Sequence, residues 1–180
     1  MVEQNIIENT RQILMDKGYP DPANCKRRDK SNLKMYAQDD YKNNVELTEL
    51  LKHSSKSNGK KSNSLWEDEA EYGKPEFIII NSETNLAIVI ECKPIGKNNH
   101  ISSYLRNENI LVKKASIISK YAVDGALHYA KFLSKKYNVV AIGISGIENY
   151  TQQGTNFNKS LSLFILYLMI ICRISVQNRI

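Results

Sequence analysis

Two short apolar runs rich in β-branched residues, Phe77 to Ile80 and Leu86 to Ile90, constrain this chain more than any other feature. The NSETN between them has turn composition, and two such runs joined by a polar turn read as a β-hairpin. The second strand continues through Glu91, Cys92 and Lys93 and stops at Pro94, since proline cannot donate to a strand ladder. Three polar residues, Glu76, Glu91 and Lys93, therefore stand at one end of an apolar pair. With the turn centred between Glu83 and Thr84, residue i faces residue 167 − i, which sets Glu76 opposite Glu91. Residues that face one another project from the same side of a sheet, and Lys93, two positions past Glu91, shares that side.

Like charges directly opposite in a sheet repel. Two carboxylates about 5 Å apart at an effective dielectric near 20 cost roughly 3 kcal/mol. A divalent cation with oxygen ligands removes that cost, and Mg²⁺ typically takes one or two carboxylates together with waters and phosphate oxygens. Lys93 would then stand where it can orient or help deprotonate an attacking water. Such a set of groups suits metal-assisted phosphodiester hydrolysis. A bare ExK on a solvent-facing edge strand is common and needs no function. Here the acid follows Pro75, a hairpin intervenes, and ExK closes an apolar strand, and that context favours chemistry.

The remaining elements follow from periodicity. Ile6, Ile7, Ile13 and Leu14 fall on one face of a helix over about 3–17, with Gly18 where a left-handed cap belongs. Tyr19-Pro20-Asp21-Pro22 forbids its continuation. A weaker helical pattern covers 44–52. Residues 115–137 read as one long helix with a stripe of Ile118, Ala122, Ala126, Ala130, Leu133 and Tyr137. The run 139–145, VVAIGIS, has the continuous apolar character of a buried strand. The order helix, hairpin, long helix, strand describes an α/β layer.

Composition narrows the class. With 180 residues, 42% hydrophobic and 24% charged, the chain can fold without disulfide staples. Its three cysteines, Cys25, Cys92 and Cys172, form no CxxC, which argues against a disulfide framework and against a zinc site. No basic-then-apolar leader opens the sequence, so the expected address is the cytoplasm. A net charge of +6 permits a nucleic-acid partner. The basic residues gather in two places: Lys26, Arg27, Arg28 and Lys30, and then Lys52, Lys56, Lys60 and Lys61 in a Ser/Asn-rich stretch. The run LSLFILYLMIIC, 161–172, falls short of the roughly 20 apolar residues of a membrane span. It reads as a core element lacking its partner or as an out-of-place tail on a truncated chain, so the expected division is a nuclease-like domain over 1–155 and an apolar tail over 156–180 that truncation would explain.

GKPEFIII, the loop and LAIVIECK resemble the PD-(D/E)xK nuclease signature, with Pro75-Glu76 as its first half and Glu91-Cys92-Lys93 as its second. The opening helix with ENTRQIL, and AVDGALHYAKFL followed by VVAIGISG, are similar to the N-terminal endonuclease domains of type IIG and type I restriction–modification enzymes. The resemblance covers about residues 3–146. It implies a restriction-endonuclease-like mixed β-sheet flanked by helices, and a Mg²⁺-dependent DNA endonuclease, with Mn²⁺ as the alternative ion. In such a domain Glu76 and Glu91 hold the ion and Lys93 acts with them. Glu8 is the helix-borne acid that would join them, ahead of Glu3. The first-half acid is usually Asp in that family, and Glu76 is one methylene longer. Type I relatives often carry Gln four residues before a helical Tyr; here the Tyr is Tyr129 and the Gln position is Gly125.

The resemblance implies double-stranded DNA as partner, tracked electrostatically by Lys52, Lys56, Lys60 and Lys61. It also implies methyltransferase and target-recognition modules, which this chain lacks. His100 reads as an exposed loop residue and His128 as a packing or surface one. Ser145-Gly146 lacks a nucleophile elbow, and no phosphate-binding glycine loop is present. The competing readings are a nuclease-fold DNA-binding or assembly module without turnover, and a small membrane-associated basic protein resting on the apolar run alone.

Overall fold

The computed structural model describes residues 2–20, 32–38, 40–54, 74–94, 100–108, 114–146 and 164–171. Their centre is a five-stranded sheet in the order β1-β2-β3-β4-β5. The strands are β1 (Leu33–Ala37), β2 (Phe77–Asn81), β3 (Leu86–Lys93), β4 (Asn138–Gly146) and β5 (Phe164–Ile171). Only β3 and β4 run parallel; the other three pairings are antiparallel, so the sheet is mixed. The helices are α1 (Val2–Asp16), α2 (Val45–Leu51), α3 (Ser103–Glu108), α4 (Ala115–Lys120) and α5 (Ala122–Leu133). This is an α/β fold of the restriction-endonuclease-like kind, as the sequence leads one to expect.

The β2–β3 hairpin has the expected register, Phe77 facing Ile90 and Asn81 facing Leu86. Local chemistry sets it. Asn81 Oδ1 accepts from the amides of Glu83 and Thr84, closing an Asx turn, and Asn85 takes φ 52°, a conformation asparagine tolerates. At the end of α1, Gly18 adopts φ 89°, and the Tyr19 amide reaches back to Leu14 O to complete the cap.

Alternate residues of β3 serve two cores. Ala87 and Val89 face α5 and α2, among Ile78, Leu47, Ala126, Leu127 and Leu133. Ile90 and Cys92 face α1, among Ile6, Phe77, Ile79 and Ile144. Burying both faces explains why β2 and β3 read as continuous apolar runs.

Three expectations need correction. The stripe over 115–137 is two helices, because Tyr121 is extended (φ −111°, ψ 133°) and separates α4 from α5. The Val123 amide, which a continuous helix would bond to Ser119 O, donates instead to His100 O. That long-range acceptor wins and lets α5 lie directly on β4. The approach is close: a Cβ on Gly143 would fall 2.6 Å from the Val123 nitrogen. Second, Leu33–Ala37, unassigned from sequence, pairs with β2 as an edge strand. Third, His100 is buried, with Nδ1 3.0 Å from Ser145 Oγ. Within the apolar run 161–172, residues 164–171 form β5, which pairs antiparallel with β4.

The segment before α3 is tied to α5 by Asp124, fully buried, whose carboxylate accepts from the Ser102 amide (2.9 Å) and hydroxyl (2.6 Å). Asp124→Ala should therefore lower stability by about 3 kcal/mol, since it strands buried donors that now bond a charged acceptor. Urea unfolding measures this, and Asp124→Asn, which keeps one acceptor, should lose less.

Candidate active site

One step beyond the last hairpin pair, Phe77 with Ile90, stand Glu76 and Glu91. Their side chains share the α5 face of the sheet, as do Lys93 and, on the neighbouring strand, Ser145, which pairs with Lys93. Glu91 is completely buried, Glu76 is 5% exposed and Lys93 is 9% exposed. The expected convergence occurs. The two carboxyl groups lie close enough for the charge of Glu91 to act directly on Glu76, and Lys93 Nζ lies 2.8 Å from Glu91 Oε1. Glu76 Oε2 also accepts from the Cys92 amide at 2.9 Å, which pins the first acid to the second strand.

Burial dominates the electrostatics. It raises the Glu76 pKa well above the carboxylate range, and the charge of Glu91 and the hydrogen bond to it add to the rise. Lys93 and the Cys92 amide pull the other way without cancelling it. Burial and a like charge both favour the neutral form of a carboxyl group, so the site holds the Glu76 proton more tightly than water would. The Cys92 thiol is pushed up by burial and then by Glu76, so it stays protonated. Tyr129, on α5, is likewise held neutral by burial and by both acids, and its hydroxyl accepts from the Lys74 amide just ahead of Pro75.

A divalent metal fits this donor set. Two desolvated carboxylates with a single lysine beside them offer hard oxygen ligands and an excess of negative charge. Among the described residues no cluster of three or more His, Cys, Asp or Glu is placed to hold an ion. Glu8 is not brought to the pair: it is exposed, and its carboxylate faces Arg11 at 3.9 Å. Helix α1 packs through Ile6 on the opposite face of the sheet, with Thr10 against Cys92, and this turns Glu8 outward. The side chain of Glu3 lies outside the described residues, as do Lys56, Lys60 and Lys61. Lys52 caps the C-terminal end of α2 and is half-buried.

Part of the chain resembles a restriction enzyme. Over 107 residues it is 34% identical to the Type II restriction enzyme and methyltransferase RM.BcgI of Heyndrickxia coagulans. That stretch takes in 57% of this chain, and the chain spans about 15% of the relative's length. The chain is thus related in part to a restriction–modification protein. No protein-family model and no solved structure matches it. Among the described residues no helix is long and apolar enough to cross a membrane.

Two features of the site were missed in the sequence. The His100–Ser145 contact joins a loop to the end of β4, and only the parallel pairing of β3 with β4 brings Ser145 beside Lys93. His128 is held by Ser54 O at 3.0 Å and packs edge-on against Tyr129 and Phe132, the packing role expected of it. A cavity of about 550 Å³ lined by Tyr19, Leu33, Ile79, Leu86 and Ile88 lies at the turn end of the hairpin, away from the acids.

The raised Glu76 pKa makes stability depend on pH. Above the unfolded value of about 4.3, the folded chain keeps a proton that the unfolded chain releases, so this contribution is full below that pH and is lost as pH climbs through the folded value. In EDTA, wild-type stability should fall relative to Glu76→Gln as pH rises from about 5, by at most ~1.4 kcal/mol per pH unit. Paired denaturation curves measure the difference; parallel curves would mean that the Glu76 pKa is not raised in the folded chain.

Proposed function

We propose that this chain is a metal-dependent DNA endonuclease domain of a restriction–modification system, hydrolysing phosphodiester bonds in double-stranded DNA. The observation that carries the reading is the convergence of Glu76, Glu91 and Lys93 at one buried sheet end. Its partial likeness to a restriction enzyme and methyltransferase supports the same system.

In this reading Glu76 and Glu91 would hold Mg²⁺, or Mn²⁺ in its place, both in their ionised form. The ion supplies charge neutralisation and Lewis acidity at the scissile phosphate. Glu91 keeps Lys93 charged and pointed at the same place through its 2.8 Å contact. Lys93 orients the attacking water and steadies the negative charge that develops on phosphorus-bound oxygens. The water oxygen bonds to phosphorus and releases its proton to solvent as the bond to the leaving sugar oxygen breaks, and that oxygen takes a proton from solvent. Tyr129 fixes the Lys74–Glu76 segment, and so the entry of the first acid, through the Lys74 amide.

DNA reaches this end of the sheet by electrostatics. Lys52, with Lys56, Lys60 and Lys61, would follow the backbone without reading sequence. Methyltransferase and target-recognition modules would supply the specificity, as the relative's name joins the two activities.

Purified protein should nick supercoiled plasmid at low salt with Mg²⁺ and not with EDTA. Lys93→Ala should lower the rate by about 100-fold or more, the scale of losing one transition-state donor. DNA binding without cleavage would favour a nuclease-fold assembly module, and cleavage that survives in Lys93→Ala would remove Glu91 and Lys93 from the reaction.

A further inference from the structure

Helix α5 carries a glycine inside its first two turns, where glycine is less favourable than alanine. Gly125 makes an ordinary helical bond, its amide donating to Tyr121 O, so the backbone does not need it. The space beside it does. A Cβ at this position would fall 2.9 Å from Glu91 Cγ, 3.1 Å from Cδ and 3.1 Å from Oε1. Carbon and oxygen atoms that close would force something to shift.

What shifts is decided by the surroundings. Helix α5 is seated on β4 at Gly143, where even a methyl group would meet the Val123 backbone nitrogen. Its first turn is tied to His100 O, and Asp124 is tied to Ser102. The helix therefore resists withdrawal. Glu91 is a flexible side chain with no exposed surface, wedged between α5 on one side and Lys93 and Glu76 on the other.

We propose that Gly125 is a positioning residue whose bare α-carbon sets the place of the Glu91 carboxylate, and with it the ion pair to Lys93. The proposal deepens the nuclease reading and rests on it for the catalytic consequence alone. Without a side chain at 125, the helix leaves room beside it for the Glu91 carboxyl group. Gly125→Ala would push that carboxylate out of line with Lys93 and Glu76.

The test uses the full chain and two readouts. In plasmid nicking, Gly125→Ala should slow cleavage by up to about 100-fold, the scale of an ångström's misplacement, and should raise the Mg²⁺ concentration for half-maximal rate. Thermal unfolding gives a readout that does not depend on activity. In the Glu91→Ala/Lys93→Ala background, which removes both members of the ion pair, Gly125→Ala should raise the melting temperature because alanine favours the helix. In the wild-type background the same change should lower it or prevent folding. A rise of equal size in both backgrounds, or wild-type nicking by Gly125→Ala at low Mg²⁺, overturns the proposal. If wild-type protein does not nick, the nuclease reading fails, and the opposite signs in the two unfolding experiments still decide whether Gly125 positions Glu91.

Discussion

Two carboxyl groups in contact, both withdrawn from water, set the terms for the rest of this structure. The hairpin register places Glu76 and Glu91 one step past the last apolar pair, where no turn residue or solvent can separate them. Lys93 compensates one charge at 2.8 Å, and burial together with Glu91 raises the pKa of the second acid. Neither device is stable across pH or composition, since a buried ion pair rarely repays its desolvation in full. A sheet end of this kind is poor as a structural element and well suited to receive a small hard cation.

The surrounding packing holds that end rigid. Tyr129 accepts from the Lys74 amide, Glu76 accepts from the Cys92 amide, and α5 presses on β4 at Gly143. The other face of the sheet belongs to α1, whose Ile6 and Thr10 meet the β3 residues that alternate with the acids. This division explains why Glu8 points to solvent beside Arg11 although it lies on the helix nearest Cys92. A strand's period of two sends neighbouring residues to opposite faces, so a helix that packs on Cys92 is on the wrong side of the sheet for Glu91.

Features written in local chemistry were legible in the sequence. Asn81 and the residues after it fix the hairpin, β-branched runs mark its strands, and Gly18 ends α1. Because the register follows from the turn, the meeting of Glu76, Glu91 and Lys93 could be deduced by counting. Features set by distant partners were not legible. Nothing near Tyr121 announces a helix break, because its cause is the acceptor at His100 O. The burial of His100 depends on Ser145, 45 residues away in the chain. Leu33–Ala37 is short and carries Lys34 on its exposed side, and only β2 makes it a strand. The glycine at 125 looked like a substitution within a family pattern, and its meaning came from the Glu91 atoms beside it.

Local rules and the global fold agree through most of the chain and part company at one place. A glycine inside a helix, an acid facing an acid, and a buried lysine each run against propensity or electrostatics, and here all three touch. Independent lapses would be scattered, whereas these meet at one residue: Glu91 is the neighbour of Gly125, the ion-pair partner of Lys93 and the like charge that acts on Glu76. Selection for stability alone would remove the repulsion between the two acids by a single substitution, for example an amide at Glu76. Sequences that specify one fold break such rules where function requires it. The concentration of the violations on a single carboxylate identifies Glu91 as the centre around which the others are arranged.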